Sequence, residues 1–100
     1  MIDRMSMVVI YLVNPREKYW GRLEELSAIG VHVRGLELGV TEPWAREIAR
    51  GETQGLGVAT VFFPLSRVER ICLDEDVGAV RSIRVGLENI LGRGVAELLG

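Results

Sequence analysis

The sequence predicts a mainly β chain with minor α content: five strands curled into a small barrel, one short inserted helix and one C-terminal helix. Three observations predict it. Across 19–38 (YWGRLEELSAIGVHVRGLEL) two apolar arms flank a turn at Ser27-Ala28-Ile29-Gly30, and each arm changes phase part-way along. The segments 5–13, 58–63 and 68–73 are short, rich in β-branched residues and bounded by turn chemistry. Helical spacing of apolar residues marks two stretches, 41–51 and 82–91.

The phase changes carry the barrel. Leu23 and Leu26 stand three apart, so period-2 alternation slips by one residue near Glu24-Glu25. On the second arm Val31 and Val33 alternate, then Leu36 and Leu38 take the other parity, with Gly35 at the slip. Antiparallel pairing is expected to set Gly35 opposite Leu23 and Glu24, so that both strands kink at one level. A bulge matched by a glycine kink bends a sheet round a core. Gly21 marks a place where another backbone or a large ring comes close.

The remaining elements follow in order. Segment 5–13 is apolar on both parities, as in a strand covered on both faces, or with one face in the core and the other against a helix or a neighbouring subunit. Asn14-Pro15-Arg16-Glu17 supplies turn chemistry. After Leu38, Thr41 can cap a helix with Glu42 and Pro43 in its first turn, and Trp44 and Ile48 share a face that must dock. GETQGLG (51–57) reads as a flexible loop, which makes 40–57 an insertion between strands. Pro64 stops the fourth strand, Leu65-Ser66-Arg67 makes a tight turn of 3₁₀ type, and 68–73 is the last strand. Ser82 caps a helix over 83–91 striped by Ile83, Leu87, Ile90 and Leu91, and Gly92 ends it. Val95, Leu98 and Leu99 need cover, from the barrel or from another subunit. The expected organisation is therefore a barrel over 1–76 and a helical segment over 77–100 that packs on it or on a neighbour.

Composition narrows the function classes. With 100 residues and 48% apolar content, one domain with a real core is expected. The net charge of -2 gives no global attraction to nucleic acid or anionic lipid. Among 12 basic residues only Lys18 is a lysine. Cys72 is the single cysteine, so no internal disulfide forms, and a reducing cytoplasm fits. The apolar N-terminal run is too short to span a membrane before Pro15.

No catalytic or metal-binding constellation is legible, and neither an enzyme activity, a cofactor nor a small-molecule substrate is expected. One His and one Cys fall short of a zinc ligand set. Cys72 alternates within an apolar strand and reads as a small buried hydrophobe. His32, between Val31 and Val33, faces away from the core. Glu24 and Arg34 are expected to pair across the bent hairpin. Asp74-Glu75-Asp76 reads as a solvated strand end, without the alternating spacing of a calcium loop. A catalytic reading would require a pocket gathering Glu24, His32 and Arg34.

The pattern resembles the Sm-like proteins within the SH3-type small barrels, which include the bacterial Sm-like RNA chaperones. The residues that carry the likeness are Gly21, Leu23 and Leu26 on the bent strand, Val31-His32-Val33 after the turn, and Val61-Phe62-Phe63 followed by Val68 and Ile71. The resemblance implies the barrel and ring-like association through strand edges. The family's RNA-holding Asp and Asn of the hairpin turn correspond here to Ser27 and Val31. The basic pair of its last turn is reduced here to Arg67. The family's helix precedes the first strand, whereas here the helix is C-terminal.

Two functions from different classes follow as expectations. The first is a non-enzymatic binding or assembly module that forms homo-oligomers. Its interface would draw on the apolar excess at Val9, Tyr11, Trp44, Ile48, Leu87, Leu91 and Leu98. The second is single-stranded RNA binding through Arg16, Lys18, Tyr19, Trp20 and Arg67, where aromatics and cations interleave. Membrane partners are not expected.

Overall fold

The computed structural model describes every residue except Thr53 and Gln54, so the middle of the expected 51–57 loop lies outside the described residues. Five antiparallel strands form one sheet: β1 (Met7–Leu12), β2 (Glu17–Leu26), β3 (Gly30–Glu37), β4 (Ala59–Pro64) and β5 (Val68–Leu73). Three helices, α1 (Thr41–Ala49), α2 (Ile83–Leu91) and α3 (Ala96–Leu99), join them. The strand order is β4-β3-β2-β1-β5, so the chain's fourth and fifth strands are the two edges of the sheet.

That order forces curvature. Pro64 pairs beside Gly30, near the β2–β3 turn, and Val68 pairs beside Leu12, near the β1–β2 turn. In a flat sheet these two residues would occupy opposite corners, roughly 40 Å apart at ordinary strand spacing and rise. Four Cα steps cover at most ~15 Å. The sheet must therefore wrap until its corners meet. The 3₁₀ turn at Leu65–Arg67 closes this gap and is pinned at both ends: Leu65 N–H donates to the Ile29 carbonyl at 3.1 Å, and Val13 N–H donates to the Arg67 carbonyl at 2.8 Å. No ladder joins β4 to β5 among the described residues, so the sheet is curled but open.

The bend sits in β2 and β3, by a different device from the one the pattern suggested. A bulge at Glu24 interrupts the β2–β3 register between Leu23 and Glu25, as the slipped alternation indicates. Gly35, however, pairs with Gly21 and not with Leu23 or Glu24. β3 keeps its register through Gly35. Leu36 changes parity because the opposite face of the sheet is buried there. At the Gly21–Gly35 pair the two backbones approach so closely that an added Cβ on either residue would overlap a carbonyl of the facing strand.

Both faces of the sheet are buried, which accounts for the two-sided pattern of β1. The concave core holds Val8, Ile10, Leu12, Leu23, Val31, Val33 and Phe63. The convex core sets Val9, Trp20 and Leu36 against Trp44 and Ala45 of α1, Leu87 of α2, and Val95 and Leu99. The C-terminal apolar residues thus fold back on their own sheet, with Val95 and Leu99 almost fully buried. Arg34 Nε holds this segment by donating to the Leu99 carbonyl at 2.6 Å.

The helix ends follow local chemistry. Ser82 Oγ accepts from Val85 N–H at 3.1 Å as the α2 cap, and Gly92 closes the helix at φ 72. Thr41 does not cap α1. It is the first helical residue and donates its hydroxyl to the Leu38 carbonyl at 2.8 Å, because a 3₁₀ turn at Leu38–Val40 runs directly into the helix. Among the described residues no helix is long and apolar enough to cross a membrane.

Candidate functional site

The residues expected to stack RNA bases lie in the two cores. Trp20 is fully buried on the convex side, 6.5 Å from the Trp44 ring, and its Nε1 donates to Asp74 Oδ2 at 2.9 Å. Tyr19 points the other way, edge-on to Phe63 at 5.3 Å, with its hydroxyl donating to the Gly35 carbonyl at 3.2 Å. Burial raises the Tyr19 phenol above its usual range. Trp20 is closed to a base, and Tyr19 is half-buried with its hydroxyl committed to the backbone. Arg67 is also committed: its guanidinium donates to the carbonyls of Val13 and Pro15 and to Glu17 at 2.7 Å. Only Arg16 and Lys18 of the expected set stand exposed.

The expected oligomer contacts are similarly redistributed. Val9, Trp44 and Leu87 are convex-core residues, and Tyr11, Ile48, Leu91 and Leu98 pack against that core from its margins. Intramolecular packing buries three of these seven residues and partly covers the other four. Glu24, His32 and Arg34 do not gather. The Glu24 carboxylate is held by Arg22 at 2.7 Å, which lowers its pKa, while His32 lies exposed against the Phe62 ring at 4.9 Å. The expected Glu24–Arg34 pair gives way because Arg22, and not Glu24, sits opposite Arg34.

Asp74 is the polar centre that the sequence reading missed. Its carboxylate accepts from Trp20 Nε1, from Ile83 N–H at 2.7 Å and from Arg84 N–H at 2.8 Å. Asp76 Oδ1 accepts from Ser82 N–H at 2.8 Å. Asp74 and Asp76 thus cap the start of α2, while Glu75 and Asp76 stay exposed at the strand end as expected. A Ser N-cap a few residues past an acidic strand end was the available signal. Cys72 is half-buried at the edge strand, more open than expected.

Two surface features remain for binding. The first is the pair of free sheet edges. β4 reads ATVFFP, with no charged residue and Phe62 40% exposed. The concave core is open at both edges, where Val61 of β4 and Val68 and Ile71 of β5 are only partly covered. The second is a groove of about 390 Å³ beside Tyr11, lined also by Arg16, Lys18 and Glu69. Lys18 Nζ stands 5.3 Å and Arg70 Cζ 4.2 Å from the Tyr11 ring centre. Among the described residues no group of His, Cys, Asp and Glu could hold a metal ion.

No relative identifies this arrangement. Comparison with protein-family models, with curated proteins and with solved structures finds no match to the chain.

Proposed function

We propose that the protein is a non-enzymatic assembly module, and that copies join edge to edge, β4 of one against β5 of the next. The observation that carries the reading is the undefended β4 edge. Natural edge strands are guarded by charge, by proline within the strand or by bulges. Here six consecutive residues carry no charge, and the one proline ends the strand. β5 has the same length and offers Ile71 and Leu73, half-covered, on the side of the concave core. Pairing the two edges would cover Val61, Val68 and Ile71 together. Such a contact is head-to-tail, and it closes into a ring if the rotation per copy allows. The bent β2–β3 hairpin and the resemblance to Sm-like barrels support this reading, because that likeness implies association through strand edges.

Sedimentation velocity and light scattering at micromolar concentration test it. A discrete oligomer is expected. A strict monomer across that range would remove the proposal.

A further inference from the structure

The helices enclose a groove of about 480 Å³, larger than the one beside Tyr11. It lies between the 3₁₀ turn at Leu38–Val40 and the first turns of α1 and α2. That volume falls in the range of small-molecule sites. The floor is apolar: Leu87 is buried, and Leu38 and Ile83 are half-buried beside it. Gly86 lines the groove as well. An added Cβ there would meet nothing within 4 Å, so no contact within the chain calls for a glycine. Glycine weakens a helix interior relative to alanine. Its effect at this position is to keep the groove open.

Two charged residues stand at the exposed rim, Arg81 from the α2 side and Glu42 from α1. The Arg81 side chain forms no ion pair among the described residues. Glu42 is held only by Arg46 at 3.7 Å, an exposed helical pair of a kind that adds little. Arg81 and Glu42 line one groove without pairing with each other. Opposite charges placed in this way leave room for a ligand that carries both. Ser82, next to Arg81 in the chain, is 6% exposed. Its Oγ accepts from Val85 N–H, and its hydroxyl hydrogen has no acceptor among the described residues. The α2 side of the groove therefore offers donors to an anionic group, and the α1 side offers a carboxylate to a cationic one.

We infer that this groove binds a small zwitterion with an apolar side chain, of the chemical class of the aliphatic amino acids. Arg81 and the Ser82 hydroxyl take its carboxylate, Glu42 takes its ammonium group, and Leu38, Ile83 and Leu87 take its side chain. Neither β4 nor β5 contributes to the groove, so the site stands whether or not copies assemble.

Titration of the isotope-labelled full chain with L-leucine, followed by the amide resonances of Gly39 and Gly86, tests it. Saturable shifts at both glycines with one site per chain are expected. Isocaproate lacks the ammonium group and isoamylamine lacks the carboxylate. Each should bind about tenfold more weakly than leucine, the scale of one charge-assisted contact. Free glycine, without the apolar side chain, should also bind more weakly. Arg81→Gln and Glu42→Gln should each weaken leucine binding about tenfold. Arg93→Gln, beyond the far end of α2, should leave it unchanged. Gly86→Leu should fill the groove and abolish binding. Thermal melts of each variant separate lost binding from lost folding. Absence of saturable shifts at Gly39 and Gly86, equal binding of isocaproate, or undiminished binding by a folded Gly86→Leu would overturn the inference.

Discussion

The indole Nε1 of Trp20 donates to the carboxylate of Asp74 at 2.9 Å, and this bond joins the centre of the sheet to the start of α2. The same carboxylate receives the amides of Ile83 and Arg84. One side chain therefore satisfies a buried indole and two helix-terminal donors that would otherwise lack partners. Asp74→Ala strands all three and is expected to cost about 3 kcal/mol, combining an unsatisfied buried donor with a lost helix cap. Asp74→Asn keeps one acceptor oxygen but turns its NH₂ toward at least one of these donors, so it should recover only part of that loss. Urea unfolding followed by tryptophan fluorescence measures both. Equal stability of Asp74→Ala and wild type would dismiss the latch.

The Gly21–Gly35 pair makes a second prediction. A methyl group on Gly35 would fall on the Trp20 carbonyl and within 2.6 Å of the Gly21 Cα, with backbone on every side and no flexible side chain to yield. Gly35→Ala should therefore part β2 from β3 and leave the protein insoluble or strongly destabilised, by more than about 3 kcal/mol as for other severe overpacking. Gly86 in α2 is the contrast. A Cβ there meets nothing within 4 Å, so Gly86→Ala should stabilise by about 0.5–1 kcal/mol through helix propensity alone. Melting temperatures of the two variants should move in opposite directions.

These two sites also show what the sequence could tell. Strand positions, the bulge near Glu24, the Ser82 cap and the 3₁₀ turn at Leu65–Arg67 were legible because each rests on local chemistry. The partner of Gly35 was not, because a parity change at Leu36 looks the same whether a register slips or the buried face switches. Trp20 and the β1 apolar residues were ambiguous for a related reason. A two-sided strand does not say whether its second face meets a helix of its own chain or another subunit. Here α1, α2 and the C-terminal residues supply the cover, burying Val9, Trp44 and Leu87 and leaving Tyr11, Ile48, Leu91 and Leu98 partly covered at the margin. The cations around Tyr11 were invisible because Lys18 and Arg70 are 52 positions apart and both reach Tyr11 only through the β2–β1–β5 register.

Titration of Glu24 gives an acid-side prediction. Its hydrogen bond from Arg22 holds the carboxyl below its ordinary value of 4.5 in the folded state. A depressed folded pKa means that the unfolded chain takes up the proton first as acid is added. The pair's contribution is thus complete above about 4.5 and fades as the pH falls through the lower folded value. The stability difference between wild type and Glu24→Gln should shrink over that acid window and stay constant above it. The effect will be small, since the pair is partly solvated. Tyr19 behaves oppositely at the alkaline end. Burial raises its pKa above 10.0, so its contribution is complete below that value and is lost as the pH climbs through the raised one. Tyr19→Phe should reduce the alkaline sensitivity of unfolding.

Edge pairing predicts a variant that separates assembly from folding. Phe62 lies on the uncharged β4 edge, 40% exposed, against His32 and over Gly30. It belongs to neither core, so its loss should cost the single chain about 1 kcal/mol, within the ordinary range for a half-exposed residue. A glutamate at this position would place a charge where the neighbouring strand must dock, and charged edge residues block strand addition. Phe62→Glu should therefore convert the oligomer to a monomer of native far-ultraviolet circular dichroism. Ile71→Lys on β5 should do the same from the other side, with some loss of stability because Ile71 also packs against the concave core. Mixing the two variants should not restore a closed ring, because each then carries only one competent edge, but it should form a dimer between the intact β5 of one and the intact β4 of the other. A dimer found in the mixture and absent from either variant alone would establish the head-to-tail contact. Oligomers persisting in both variants would place the interface elsewhere.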